Sequence, residues 1–143
     1  MIQRARLASH TGDHFTASMR TSMKKVITVV LDGDYDADYR SLGSARAFVR
    51  TLTTNVQEVH DAGRPTETRR PADQGTGFLW RLNTYCSFEA RSEGTYEQCE
   101  SVSLTRDVPF GLGWLIKPFV TGIPREALEF TLGRVRAALA KAG

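Results

Sequence analysis

The segment from Gly77 to Gly122 limits the fold more than any other part of this chain. Phe78, Trp80, Leu82, Thr84, Cys86 and Phe88 alternate with Leu79, Arg81, Asn83, Tyr85, Ser87 and Glu89. A period of two with one mainly apolar side is the pattern of a strand lying on a core. Ser92-Glu93-Gly94 then reads as a turn, with Gly94 able to take the positive φ of a tight hairpin. The returning strand, Tyr96–Thr105, puts Tyr96, Gln98, Glu100, Val102 and Leu104 on one side. Glu97, Cys99, Ser101 and Ser103 lie on the other, and small residues on a sheet face often mark close helix packing. Two- and three-residue loops both fit, and the choice shifts every cross-strand pair by one residue. Asp107-Val108-Pro109 ends the sheet, because proline cannot donate to a ladder.

The preceding residues read as more antiparallel sheet. Runs 2–10 and 14–21 flank the turn signal Thr11-Gly12-Asp13 and predict a first hairpin. The β-branched run 24–31 predicts a strand buried on at least one face, closed by Asp32-Gly33-Asp34. Asp32, Asp34, Asp36 and Asp38 recur at every second position. An EF-hand loop counted from Asp32 would need Gly at its sixth place and Glu at its twelfth, where Ala37 and Gly43 stand. The acidic stretch is therefore read as a solvated turn or edge. Residues 45–60 predict one long strand, and 61–76, rich in Pro, Gly and charge, a flexible surface loop. Beyond the sheet, 112–119 predict a short helical turn stopped by Pro118. Pro124 opens a helix over 124–141, with Glu126 in its first turn and Lys141 near its end. Leu128, Leu132, Val135 and Leu139 form its apolar stripe.

With 143 residues the chain is long enough for one domain with its own core. Its net charge of +3 comes from dispersed arginines without a clustered basic face, which argues against nucleic acid as a partner. The longest apolar tract, Val108–Ile123, is broken by Gly111, Gly113, Lys117 and Pro118, so no transmembrane segment is expected. Residues 1–23 lack the apolar run of a signal peptide, and a cytoplasmic location follows as the expectation. Cys86 and Cys99 lack zinc-site spacing, and no metal or cofactor is expected. A disulfide between them is conceivable, but two buried free thiols in a reducing compartment are favoured.

A run of strands followed by one helix argues for an α+β fold. Within it, Leu79–Tyr85, Ser103–Pro109 and Gly113–Phe119 resemble the C-terminal half of START-like proteins of the SRPBCC superfamily, including uncharacterised bacterial members. The superfamily also holds polyketide cyclases and lipid-transfer domains. The resemblance covers most of the chain and is most specific over 77–139. It implies a helix-grip: an antiparallel curved sheet of about six strands wrapped on a long C-terminal helix, with a ligand cavity between them. Such domains begin with a further strand and two short helices, so the resemblance implies a single domain over 1–143 that is incomplete at its N-terminus. Cys86-Ser87 departs from the family, whose similar members carry a Trp and a basic residue there.

The expected function is binding of a hydrophobic or amphipathic small molecule, a lipid, isoprenoid or polyketide-like compound. Trp80, Phe88, Trp114, Phe119, Leu128 and Leu132 would supply the apolar walls, and Arg81, Asn83, Tyr85 and Glu100 the polar contacts. The alternative is a cyclase- or hydrolase-type enzyme using those four polar residues, with Tyr85 and Glu100 as the catalytic candidates. If Arg81, Asn83 and Tyr85 face away from the core, the enzyme reading weakens. A third reading is a partner- or membrane-interaction protein acting through Val108–Ile123, with a homo-oligomer or other partner covering an open end of the sheet.

Overall fold

The computed structural model describes residues 2–24, 28–72, 74, 79–105 and 113–142. The strands are β1 (Ile2–Thr11), β2 (His14–Lys24), β3 (Thr28–Ser41), β4 (Arg46–His60), β5 (Thr68–Arg69), β6 (Arg81–Arg91) and β7 (Gly94–Leu104). They form one sheet in the order β1-β2-β3-β4-β6-β7, every described pairing antiparallel, with the two-residue β5 on one end of β4. Helix α1 (Gly113–Ala142) follows.

Two hairpins set the register. Thr11 pairs with His14 around Gly12, whose φ of 57° is open to glycine at no steric cost. Arg91 pairs with Gly94, so the second loop is the two residues Ser92 and Glu93. That fixes Cys86 opposite Cys99 and Tyr85 opposite Glu100. A register shift in β4 opposite Asp34 and Tyr35 inserts one extra residue, and two shifts in β1 bend that edge of the sheet.

Three expectations are corrected here. The run 24–31 is not one strand, because β2 ends at Lys24 and β3 begins at Thr28. Asp32-Gly33-Asp34 does not close a strand; β3 runs through the acidic stretch to Ser41, paired on both sides. The physical reason is the alternation itself. Asp32, Asp34, Asp36 and Asp38 share one face while Gly33, Tyr35, Ala37 and Tyr39 share the other, which is how a strand with one polar side reads. Third, Cys86 and Cys99 are not free thiols but a disulfide. Their Cα atoms are 4.1 Å apart, the close spacing of a non-hydrogen-bonded cross-strand pair.

The helix-grip expectation is also overturned. The molecule is mainly antiparallel sheet, and the sheet does not wrap the helix. Helix α1 makes its main strand contact with the edge strand β7. Along 128–138 its side chains are half-buried or exposed, and Leu128, Leu132 and Val135 are no more than half-buried. On the more sheltered side of β7 stand Glu97, Cys99, Ser101 and Ser103, which give an apolar stripe little area to bury. The core forms elsewhere, where Val29, Leu31 and Val56 pack with Met23 and Leu79 across β2, β3 and β4. The helix begins at Gly113, so Pro118, Pro124 and Glu126 lie inside it rather than at a start. Lys141 is in its last turn, where its charge suits the negative end of the dipole.

Candidate functional site

The two faces of the sheet differ in chemistry, and the register states which residues share each. One face carries Leu7, Phe15, Ala17, Met19 and Met23 from β1 and β2. Val29, Leu31, Tyr35 and Tyr39 of β3, Val49 and Val56 of β4, and Leu82, Cys86 and Phe88 of β6 continue it. The other face carries the acidic row of β3 with its partners.

On the apolar face the side chains over β2 and the far half of β3 are mostly half-buried, and Leu7 and Tyr39 are exposed. Tyr35 lies over Gly33: a Cβ at Gly33 would come within 2.7 Å of its hydroxyl and 2.9 Å of its ring carbons. Burial pushes the Tyr35 phenol up, with the Asp34 carboxylate adding to the shift. Towards β6 and β7 the face turns more polar, with the Thr84 and Ser101 hydroxyls 3.0 Å apart and Glu97 opposite Phe88. Burial raises the Glu97 carboxyl.

Between β2 and β4 the polar face is tied together by two ionic groups. In the first, Arg20 donates from Nε and Nη2 to the two oxygens of Asp32, each at 2.7 Å. It also reaches Glu67 from Nη1 at 3.0 Å and Nη2 at 2.8 Å. Arg69 donates to Asp32 at 2.6 Å, and the Gly63 backbone N–H donates to Glu67 at 2.8 Å. The hydrogen bonds from Arg20, and then from Arg69, hold the Asp32 carboxyl down to about 2. The Arg20 guanidinium is pushed up in turn by Asp32 and Glu67. Loop 61–72 is thereby clamped onto β2 and β3. A cleft of about 170 Å³ lies beside this group, lined by Arg4, Ser18, Met19, Arg20, Asp32, Gly33, Asp34, Gln57 and Arg69.

The second group crosses the sheet. His14 Nδ1 lies 2.9 Å from Asp38, and Arg50 donates to the other oxygen of Asp38 at 2.8 Å. Arg50 first, then His14, lowers the Asp38 carboxyl. Arg50 pairs with Tyr85, and Tyr85 with Glu100, so the row continues across β6 and β7.

The residues expected at a site fall as follows. Arg81, Asn83, Tyr85 and Glu100 share the polar face, away from Leu82, Cys86 and Phe88. Tyr85 and Glu100 oppose each other directly, with the Tyr85 ring stacked on Phe48 at 6.5 Å between centroids. Asn83 is engaged in the scaffold. Its Oδ1 accepts the Thr53 backbone N–H at 3.1 Å, just beyond the last β4–β6 pair. The buried Thr53 adds a hydroxyl that donates to the Leu82 carbonyl and accepts the Leu82 N–H at 3.1 Å. Arg81 donates to the Trp80 carbonyl at 2.8 Å, with its guanidinium 5.8 Å from the Trp80 ring. Trp80 is 42% exposed and Phe88 half-buried. The side chains of Trp114 and Phe119, and much of Val108–Ile123, lie outside the described residues. None of the ten expected residues lines the cleft.

Sequence reasoning missed the group built on Arg20, Asp32, Glu67 and Arg69. The signal for Asp32 was present in the every-second-residue acidic spacing, which carried it into a paired strand rather than a turn. Glu67 and Arg69 had no local signal, because a loop must fold back before they meet Arg20. Among the described residues no helix is long and apolar enough to cross a membrane. No protein-family model, curated protein or solved structure matches this chain.

Proposed function

We propose that the chain is a binding module that takes up an amphipathic small molecule on the apolar face of its sheet. The observation that carries this reading is that, among the described residues, the main strand contact of α1 is with β7, while Leu7, Phe15, Ala17, Met19, Tyr35 and Tyr39 on the apolar face are half-buried or exposed, beyond the buried Val29 and Leu31. Domains ordinarily bury such a face under a second layer. The hydroxyls of Thr84 and Ser101 and the Glu97 carboxyl sit at one side of the apolar residues, which suits a ligand with a polar head and an aliphatic body.

The enzyme reading has less support. Tyr85 and Glu100 meet on the polar face, and they do not line the cleft beside Arg20. The test is native mass spectrometry and thermal shift with fatty acids, isoprenoid alcohols and single-chain phospholipids. Binding to at least one class is expected, weakened about tenfold or more by Leu7→Glu. Leu7 is 59% exposed, so the fold tolerates the change. No binding across the panel, or equal binding by the variant, overturns the reading.

A further inference from the structure

We infer that Cys86, Cys99 and Glu97 form a zinc site that is closed by the disulfide and opened by its reduction. One ligand atom from each of the three lies within 4.8 Å of the others. The tight hairpin accounts for this. Cys86 and Cys99 are opposed in a close cross-strand pair, and Glu97, two residues before Cys99, falls on the same side of β7.

The geometry carries a more specific signal. Glu97 Oε1 stands 3.6 Å from Cys99 Sγ. A disulfide sulfur has no proton to donate, so this contact is not a hydrogen bond. With Zn–S of about 2.3 Å and Zn–O of about 2.1 Å at a tetrahedral angle, sulfur and oxygen stand about 3.6 Å apart. That distance places the carboxylate where it can join the two sulfurs on one metal ion once the disulfide opens. The two sulfurs would need to part to about 3.8 Å, the sulfur–sulfur edge of the same tetrahedron. Rotation about the two Cα–Cβ bonds supplies that movement without shifting the strands. Cys86 is 8% exposed, so the site is sheltered from competing ligands.

The chemistry balances in two steps. A dithiol reductant passes two electrons into the Cys86–Cys99 bond; its own sulfurs join as a disulfide, and its two protons pass to the cysteine sulfurs. Zn²⁺ then displaces those two protons to solvent and binds both thiolates and the Glu97 carboxylate. Water takes the fourth position, the arrangement of an open three-ligand site. A small-molecule disulfide reverses both steps: it takes two electrons from the thiolates and two protons from solvent to become a dithiol, the Cys86–Cys99 bond re-forms and Zn²⁺ is released, so zinc is held only under reducing conditions.

The experiment uses the full chain, reduced with a dithiol and freed of it under anaerobic conditions. It is titrated with Zn²⁺ against a chromophoric chelator, beside the oxidised chain, with circular dichroism recorded throughout. The reduced chain is expected to bind about one Zn²⁺ with sub-micromolar affinity and the oxidised chain none. Co²⁺ in its place should give thiolate-to-metal charge-transfer absorption. Glu97→Gln is expected to weaken binding about tenfold or more while leaving both thiols titratable, and Cys86→Ser to abolish it. Four results overturn the inference: no zinc on the reduced chain, equal zinc on the oxidised chain, unchanged affinity in Glu97→Gln, or loss of sheet signal on reduction that zinc does not restore.

Discussion

Asp32→Asn tests the ionic group that clamps loop 61–72 to the sheet. The substitution keeps the shape of the side chain and removes the charge that Arg20 and Arg69 share. The Asp32 carboxyl is held at about 2, against an ordinary value of 3.8. In full, that difference is about 2.4 kcal/mol of stability. Its side chain is 18% exposed and Arg69 is 48% exposed, so solvent screening reduces the expected cost to about 1–1.5 kcal/mol. The folded-state value is depressed, so this contribution is complete above pH about 4 and is lost as pH falls towards about 2. Urea unfolding followed by circular dichroism at pH 7, 4 and 2.5 measures it. The gap between the native chain and Asp32→Asn should be about 1–1.5 kcal/mol at pH 7 and shrink steadily below pH 4. A variant as stable as the native chain at pH 7, or a gap that acid leaves unchanged, refutes the reasoning.

Gly33→Ala should cost about 1–3 kcal/mol in urea unfolding, because its methyl would lie within 2.7–2.9 Å of the Tyr35 ring. An unchanged midpoint would show that the ring moves aside freely. Thr53→Val preserves shape but removes the hydroxyl serving both the carbonyl and the N–H of Leu82, so a loss of about 1–3 kcal/mol is expected. Amide exchange should quicken at Leu82 before it does in the β2–β3 core, and uniform acceleration would count against this role. Arg20→Met alone leaves Asp32 and Glu67 without their main cation and should speed proteolysis within loop 61–72, whereas an unaltered cleavage rate would mean the clamp is not needed.

The alternation of 79–105 was legible in the sequence because a strand's two faces are a local property of its residues. It separated Arg81, Asn83 and Tyr85 from Leu82, Cys86 and Phe88, whatever the strand paired with. The same period was present in Asp32–Asp38, but charge density and the Asp-Gly-Asp triplet suggested a turn. Partners on both sides, His14 to Arg20 and Arg50 to Gln57, make those aspartates ladder members instead. Glu67 and Arg69 could not be placed beforehand, since no local pattern encodes where a loop returns.

Chain-local physics therefore determined the turns at Gly12 and Gly94, which residues of 79–105 share a side, and the apolar stripe of the helix. Tertiary structure decided which strands are neighbours, that Cys86 faces Cys99 closely enough to bond, and that Asn83 closes a backbone gap rather than meeting a ligand. It also decided that α1 meets the edge strand β7 instead of lying in a grip. Those outcomes depend on register and on contacts between residues far apart in sequence. A one-residue shift would have exchanged the two faces, and the local pattern does not select between them.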